Sequence, residues 1–185
     1  MEPQPQSSNS PAKAALNTGL VIGLVMLSIN FIVYFLDYSY LVAGWYGFLV
    51  LVLFFAQVIY FGKQYRKEIG GFMDFSTAFQ FSFVTLIVSG LITTVGNMLL
   101  YFVIHPGLPE LLVETQLENM VAMLDSLGAG DSLSGEQIDD MRKEMASNFT
   151  FGGQIKAFGI SLIIYAVLAL ILGAILKKRD KSTDF

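Results

Sequence analysis

Residues Thr77–Ile104 read TAFQFSFVTLIVSGLITTVGNMLLYFVI. These twenty-eight positions pass without an acid or a base. A helix of that length, at about 1.5 Å per residue, is longer than the ~30 Å hydrocarbon layer of a bilayer. A span needs roughly 20 apolar residues, so the excess allows tilt or a start in the interface. Three further runs have the same character: 16–36, 41–62 and 154–176. None holds a charged group at its centre. The pattern predicts an all-α, four-span transmembrane helical bundle.

Composition agrees. Of 185 residues, 54% are hydrophobic and 14% charged, with mean hydropathy +0.61. A soluble domain averages about 25% charged. The length suits a single domain, running over 16–178 between short tails at 1–15 and 179–185. The first tail, with Pro3, Pro5, Pro11 and several Ser and Gln, reads as disordered. The run at 16–36 exceeds a signal-peptide core. Only Lys13 precedes it and no A-x-A site follows, so it reads as a retained signal anchor. The chain has no cysteine, which excludes disulfides, thiolate metal sites and cysteine nucleophiles. No basic patch interleaved with aromatics stands apart from the membrane edges, so nucleic acid is not an expected partner.

The charge distribution gives an orientation. With the N-terminus in the cytoplasm, eight of the eleven bases lie on that side: Lys13, Lys63, Arg66, Lys67, Lys177, Lys178, Arg179 and Lys181. Arg142, Lys143 and Lys156 lie opposite. The positive-inside rule then puts both termini in the cytoplasm. Aromatic anchors follow the same scheme. Tyr34, Tyr38, Tyr40, Trp45, Tyr46 and Tyr101 would mark the outer interface, and Tyr60, Tyr65 and Phe72 the inner one.

The segment 105–153 is the one sizeable soluble piece. It holds nine acids and two bases, and it is patterned. Pro109 can open a helix, and Val113, Leu117, Met120, Leu124 and Leu127 recur at 4, 3, 4, 3 spacing, a narrow apolar seam. Gly128 and Gly130 end that helix. Ser134-Gly-Glu-Gln137 then forms a capping box, and Ile138, Met141, Met145 and Phe149 continue an apolar face. The expectation is an extracytoplasmic amphipathic helical hairpin between spans three and four. Its acids suit a solvated face, and the departure from a calcium loop is plain.

Between the second and third runs stands Arg66-Lys-Glu-Ile-Gly-Gly-Phe-Met-Asp-Phe75. The double glycine can turn the chain through positive φ. Thr77-Ala-Phe-Gln80 matches a capping box, with Asp74 or Ser76 as alternative caps. Phe72, Phe75, Phe79 and Phe83 share one helical face, and Phe81 lies off it. Arg66, Lys67, Phe72, Phe75 and Phe79 are therefore candidate contacts for interfacial lipid or a partner.

Within the spans, Thr85, Ser89, Gly90, Thr93, Thr94 and Asn97 make a small, polar stripe. It fits helix packing or one wall of a conduit. Gly19-x-x-x-Gly23 and Ala169-x-x-x-Gly173 are close-packing faces. Asn30, Gln57 and Asn97 need partners in hydrocarbon and form a candidate intramembrane polar cluster facing the bundle interior. His105 is the single histidine, and no acid stands at ligand spacing to it, so no metal site is expected. No serine lies in a G-x-S-x-G setting. No nucleophile, metal cluster or acid pair occurs within the spans, so neither enzymatic activity nor a cofactor is expected.

Two spans lead to Gly70-Gly71-Phe72, Phe75-Ser76 and Ala78-Phe79. A third span, Leu133-Ser-Gly-Glu-Gln-Ile138 and a fourth span ending Ile175-Leu-Lys-Lys178 follow. Over residues 14–178 this order resembles the bacterial membrane-protein family catalogued as domain of unknown function 4199. The resemblance implies architecture and an inner-membrane home, and it supplies no catalytic residue. The residues favour a non-enzymatic membrane assembly module whose partners are lipids, other copies of itself or other membrane proteins. The alternative is a small transporter or pore for an uncharged solute. The lack of mid-membrane ionisable groups counts against the alternative.

Overall fold

The computed structural model describes residues 10–128 and 134–179. Residues 1–9, 129–133 (with Gly130 and Asp131) and 180–185 lie outside the described residues. Six α-helices are described: α1 (Pro11–Leu36), α2 (Gly44–Glu68), α3 (Phe75–Leu99), α4 (Leu108–Ser126), α5 (Gly135–Asn148) and α6 (Phe151–Leu176). A 3₁₀ turn (Tyr38–Val42) precedes α2, and a π-helical turn (Leu100–Ile104) extends α3. There is no strand among the described residues; Met73 and Lys178 form one isolated antiparallel bridge. Helices α1, α2, α6 and α3 with its π turn are long and apolar enough to cross a membrane. The chain is a membrane protein.

Helix starts differ from the edges of the apolar runs where local hydrogen bonding decides them. The run from residue 41 begins in the 3₁₀ turn, capped by Asp37, whose carboxylate accepts from the Ser39 amide at 2.9 Å. The fourth span starts at Phe151 rather than 154, because the Gln154 amide already bonds the Thr150 carbonyl. Gly153 is required there, since a Cβ would collide with the Ser147 carbonyl. For α3 the cap is Asp74, not Thr77. Its carbonyl accepts from Ala78 and its side chain from the Thr77 amide. The Ser134–Gln137 capping box of α5 is formed in both directions.

The chain divides into two compact units: 1–26, 52–93 and 160–185 form one, and 27–51 with 94–159 form the other. In the first unit, glycines bring α1 against α3, α3 against α6 and α6 against α2. A Cβ on Gly19 or Gly23 of α1 would stand 2.7 or 2.9 Å from Val88 or Ile92 of α3. Gly90 of α3 receives the Tyr165 ring of α6, Gly173 of α6 lies against Phe75 and Phe79, and Gly62 of α2 receives Leu176. Gln57 of α2 bonds Met26 of α1. Lipid tails are as apolar as leucine, so such close approach and hydrogen bonding, rather than water exclusion, hold membrane helices together. The buried core is Ala15, Tyr65, Met73, Ala78, Phe81 and Leu176.

In the second unit, Gly96 of α3 admits Leu27 of α1. Leu100, Tyr101, Leu108 and Leu112 form its core, with Phe31, Tyr34, Leu41 and Phe149 packed around them. This fixes the register of α4 differently from the expected seam. Leu108, Leu112, Val113 and Leu117 are buried, whereas Leu127 is 72% exposed. The first half of α4 rests on the Leu100–Tyr101 floor, and its last turns project beyond it. Three of the expected interface anchors are covered by protein: Tyr46, Tyr101 and, in the first unit, Tyr65. Each has a ring partner within the protein: Trp45, Phe149 and Phe81 respectively.

Candidate functional site

Two arrangements gather the candidate residues. The first, within the first unit, is a clamp between the turn after α2 and the end of α6. Gly70 and Gly71 take φ of 104° and 88°, the left-handed region that favours glycine. The Gly71 amide closes on the Arg66 carbonyl at 2.8 Å. The reversed chain then meets the segment leaving α6. The Met73 amide donates to the Lys178 carbonyl at 3.0 Å, and the Lys178 amide donates back at 2.8 Å. Arg66 Nη1 donates to the Leu176 carbonyl at 2.8 Å. That carbonyl is one of the four left without an intrahelical partner at any helix C-terminus, where a cation also suits the helix dipole. Lys178 Nζ stands 5.4 Å over the Phe72 ring, a cation–π contact. Met73, 2% exposed, plugs the centre.

The candidate lipid contacts divide accordingly. Arg66 is half-buried on Leu176, while Lys67, Phe72 and Phe75 are exposed. Phe75, Phe79 and Phe83 stack in sequence at 6.4 and 5.6 Å, a ladder along the predicted face. The fully buried aromatic is Phe81, off that face, stacked on Tyr65 at 5.1 Å. Asp74 lies below its ordinary carboxyl pKa because it accepts hydrogen bonds from Thr77. Asp37 is lowered in the same way by Ser39.

The second arrangement, within the second unit, is a chain of polar groups. Asn30 Nδ2 donates to Asn97 Oδ1 at 2.7 Å, and the Tyr46 hydroxyl donates to Asn30 Oδ1 at 3.1 Å. Nearby in sequence, the Tyr34 hydroxyl and His105 Nδ1 are paired at 3.2 Å. Gln57 belongs to the other unit, and its amide nitrogen bonds Met26 Sδ and the Leu53 carbonyl. Two of the three expected amides are thus bonded to each other, and the third is satisfied separately. Tyr46 was missed as a partner because a tyrosine near a span end reads as an interface anchor. The signal was available: a carboxamide in hydrocarbon has more than one lone pair to satisfy.

The polar stripe of α3 bonds partly to its own helix and partly to α1. Ser89 and Thr93 donate to carbonyls one turn earlier on α3, and Thr85 donates to the Ala15 carbonyl of α1 at 3.4 Å. Ser82 Oγ is buried without a partner.

The chain matches the family model described as "Protein of unknown function (DUF4199)" over residues 17–178, most of its length. It belongs to the DUF4199 family. No curated protein and no solved structure matches it. The DUF4199 match spans the Gly-Gly turn, α1 from residue 17, the other three long helices and the α4–α5 pair, so both arrangements lie inside the family region. As a family of unknown function, DUF4199 assigns no reaction to either. The arrangements hold helix ends and helix faces together. Among the described residues, no group of three or more His, Asp or Glu is placed to hold a metal.

Proposed function

We propose that this protein is a non-enzymatic assembly module of the bacterial inner membrane, with both termini in the cytoplasm and α4–α5 on the outer side. The observation that carries the reading is the surface of α4 and α5. No residue of α5 is buried, and Ile138, Met141 and Met145 are only half-covered. The polar groups inside the spans are, by contrast, largely bonded to one another or to backbone. That favours packing over a solvated path, and assembly over the transport alternative. The lipid-facing contacts are Lys67, Phe72, Phe75 and Phe79, with Arg66 holding the turn that presents them.

The charge balance supports the orientation. The first unit's sequence has eight bases and five acids, and the second's has three bases and ten acids. The absence of cysteine makes the topology test clean. With Lys67→Cys and Glu136→Cys singly introduced, an impermeant thiol reagent on intact cells should label Glu136→Cys alone; the reverse pattern overturns the orientation. For assembly, a photoreactive residue at Met141 should give a discrete heavier adduct in native membranes. Adducts to lipid alone would refute it.

A further inference from the structure

Along the α4–α5 pair, the packing of the second unit leaves a groove open. It has two cavities of about 300 and 410 Å³, and both are lined by Glu114 and Arg142. Arg142 is ion-paired with Glu114 across the pair. In the larger cavity, Leu117, Val121, Ala122 and Ile138 supply an apolar floor, and Glu118 and Asp125 supply charge. Those two acids are seven residues apart, two turns along one helix face. The surrounding charge is net negative. Helix α4 carries Glu110, Glu114, Glu118 and Asp125 with no base, and α5 carries four acids against Arg142 and Lys143.

We propose that this groove docks an amphipathic helix of a partner protein, one whose apolar seam is flanked by Lys or Arg at heptad spacing. The apolar floor accepts the seam, and Glu118 and Asp125 accept the bases. Complementary charge selects this occupant over two others. A second copy would bring the same acids to the groove, and an anionic lipid surface would be repelled. The inference rests on the assembly reading above and names the partner's chemistry.

The test uses the full chain in nanodiscs of zwitterionic lipid. The probe is a fluorescent Leu/Lys peptide about three heptads long, the scale of α4. Its comparators are an isomer with the Leu and Lys positions scattered and a Leu/Glu analogue. The heptad peptide should bind about tenfold or more tighter than the scattered isomer, and the Leu/Glu analogue should not bind. E118K/D125K should weaken binding about tenfold, the scale of two exposed charge pairs reversed. Val121→Ser should weaken it independently, because it removes floor rather than charge. Helicity of each variant is checked by circular dichroism; if the reversal disturbs it, Glu118→Gln with Asp125→Asn replaces it. Equal binding to empty nanodiscs, equal binding of the scattered isomer, or unchanged binding by the variants would overturn the proposal. Sizing of native-membrane complexes separates the two readings. A wild-type complex lost in E118K/D125K supports the groove. A complex that persists in that variant sinks the groove and leaves assembly standing. A wild-type chain that runs alone refutes assembly, and the peptide result then decides the groove by itself.

Discussion

Asn30 is the hub of the polar chain in the second unit, and replacing it with leucine gives the sharpest test of the packing account. The substitution conserves approximate volume and removes two hydrogen bonds, one to Asn97 at 2.7 Å and one from Tyr46 at 3.1 Å. Intramembrane side-chain hydrogen bonds average about 0.6 kcal/mol, with a maximum near 1.7. The two bonds alone therefore account for about 1.2 kcal/mol. The Tyr46 hydroxyl, on a residue 5% exposed, and the half-buried Asn97 amide are also left without that partner. A stranded buried polar group costs about 1–3 kcal/mol, less where lipid-facing relaxation finds it a new partner. Asn30→Leu should thus cost about 2–3 kcal/mol, Asn97→Leu about 1–2, and Tyr46→Phe about 0.6. The double variant Asn30→Leu/Asn97→Leu should cost less than the sum, because the second change removes the stranded amide. The assay is reversible unfolding in mixed micelles by increasing SDS. Trp45, the single tryptophan, can report it, since its ring packs on Tyr40 and Tyr46 at 5.4 and 6.0 Å. Gln57→Leu supplies the control. Its described partners are Met26 and Leu53, so its cost should add to that of Asn30→Leu within about 0.5 kcal/mol. Additivity between Asn30 and Asn97, or strong coupling between Asn30 and Gln57, would refute the assignment.

Three further outcomes follow from the same contacts. Arg66→Met keeps the aliphatic stem but strands the Leu176 carbonyl, so it should cost about 1.5–3 kcal/mol, the range for a charged hydrogen bond. It should also speed hydrogen exchange at the Lys178 amide; unchanged exchange would dismiss the clamp. The Asp74 carboxyl is held below its ordinary pKa, so its contribution is complete above about pH 4 and is lost as pH falls through the lower folded value. Asp74→Asn should therefore flatten the acid limb of the stability profile, and an identical limb in both proteins would count against the cap. Ser82→Ala removes a buried hydroxyl that has no partner. It should leave stability unchanged or raise it by up to about 1 kcal/mol, whereas a clear loss would reveal an undetected bond.

Features set by a few adjacent residues were legible in the sequence. The Ser134–Gln137 box, Gly128 ending α4 and the Gly70-Gly71 turn each depend on a short stretch of backbone, and each is present. Gly19, Gly23 and Gly173 were legible as close-packing positions, though not the Val88, Ile92 and Phe79 they meet. The seam of α4 is buried at Val113 and Leu117, half-covered at Met120 and Leu124 and exposed at Leu127; periodicity cannot tell which part of a helix has a floor beneath it. The T-x-x-Q spacing points to Thr77 as the α3 cap, with Asp74 as an alternative, whereas the observed cap is Asp74, next to the Met73–Lys178 bridge.

The sequence by itself determined that this chain lies in a membrane, how many helices are long enough to cross it, and that charge is unevenly divided along it. These are properties of each segment against its solvent, and hydropathy measures that term directly. The tertiary structure decided which faces are inside. In water a helix announces its buried face by being apolar there; in lipid both faces are apolar, and that contrast disappears. So Phe81 is fully buried while Phe79 is half-covered, Tyr46 bonds Asn30, and Arg66 caps α6. Each of those outcomes depends on where another helix stands, a relation no single segment encodes.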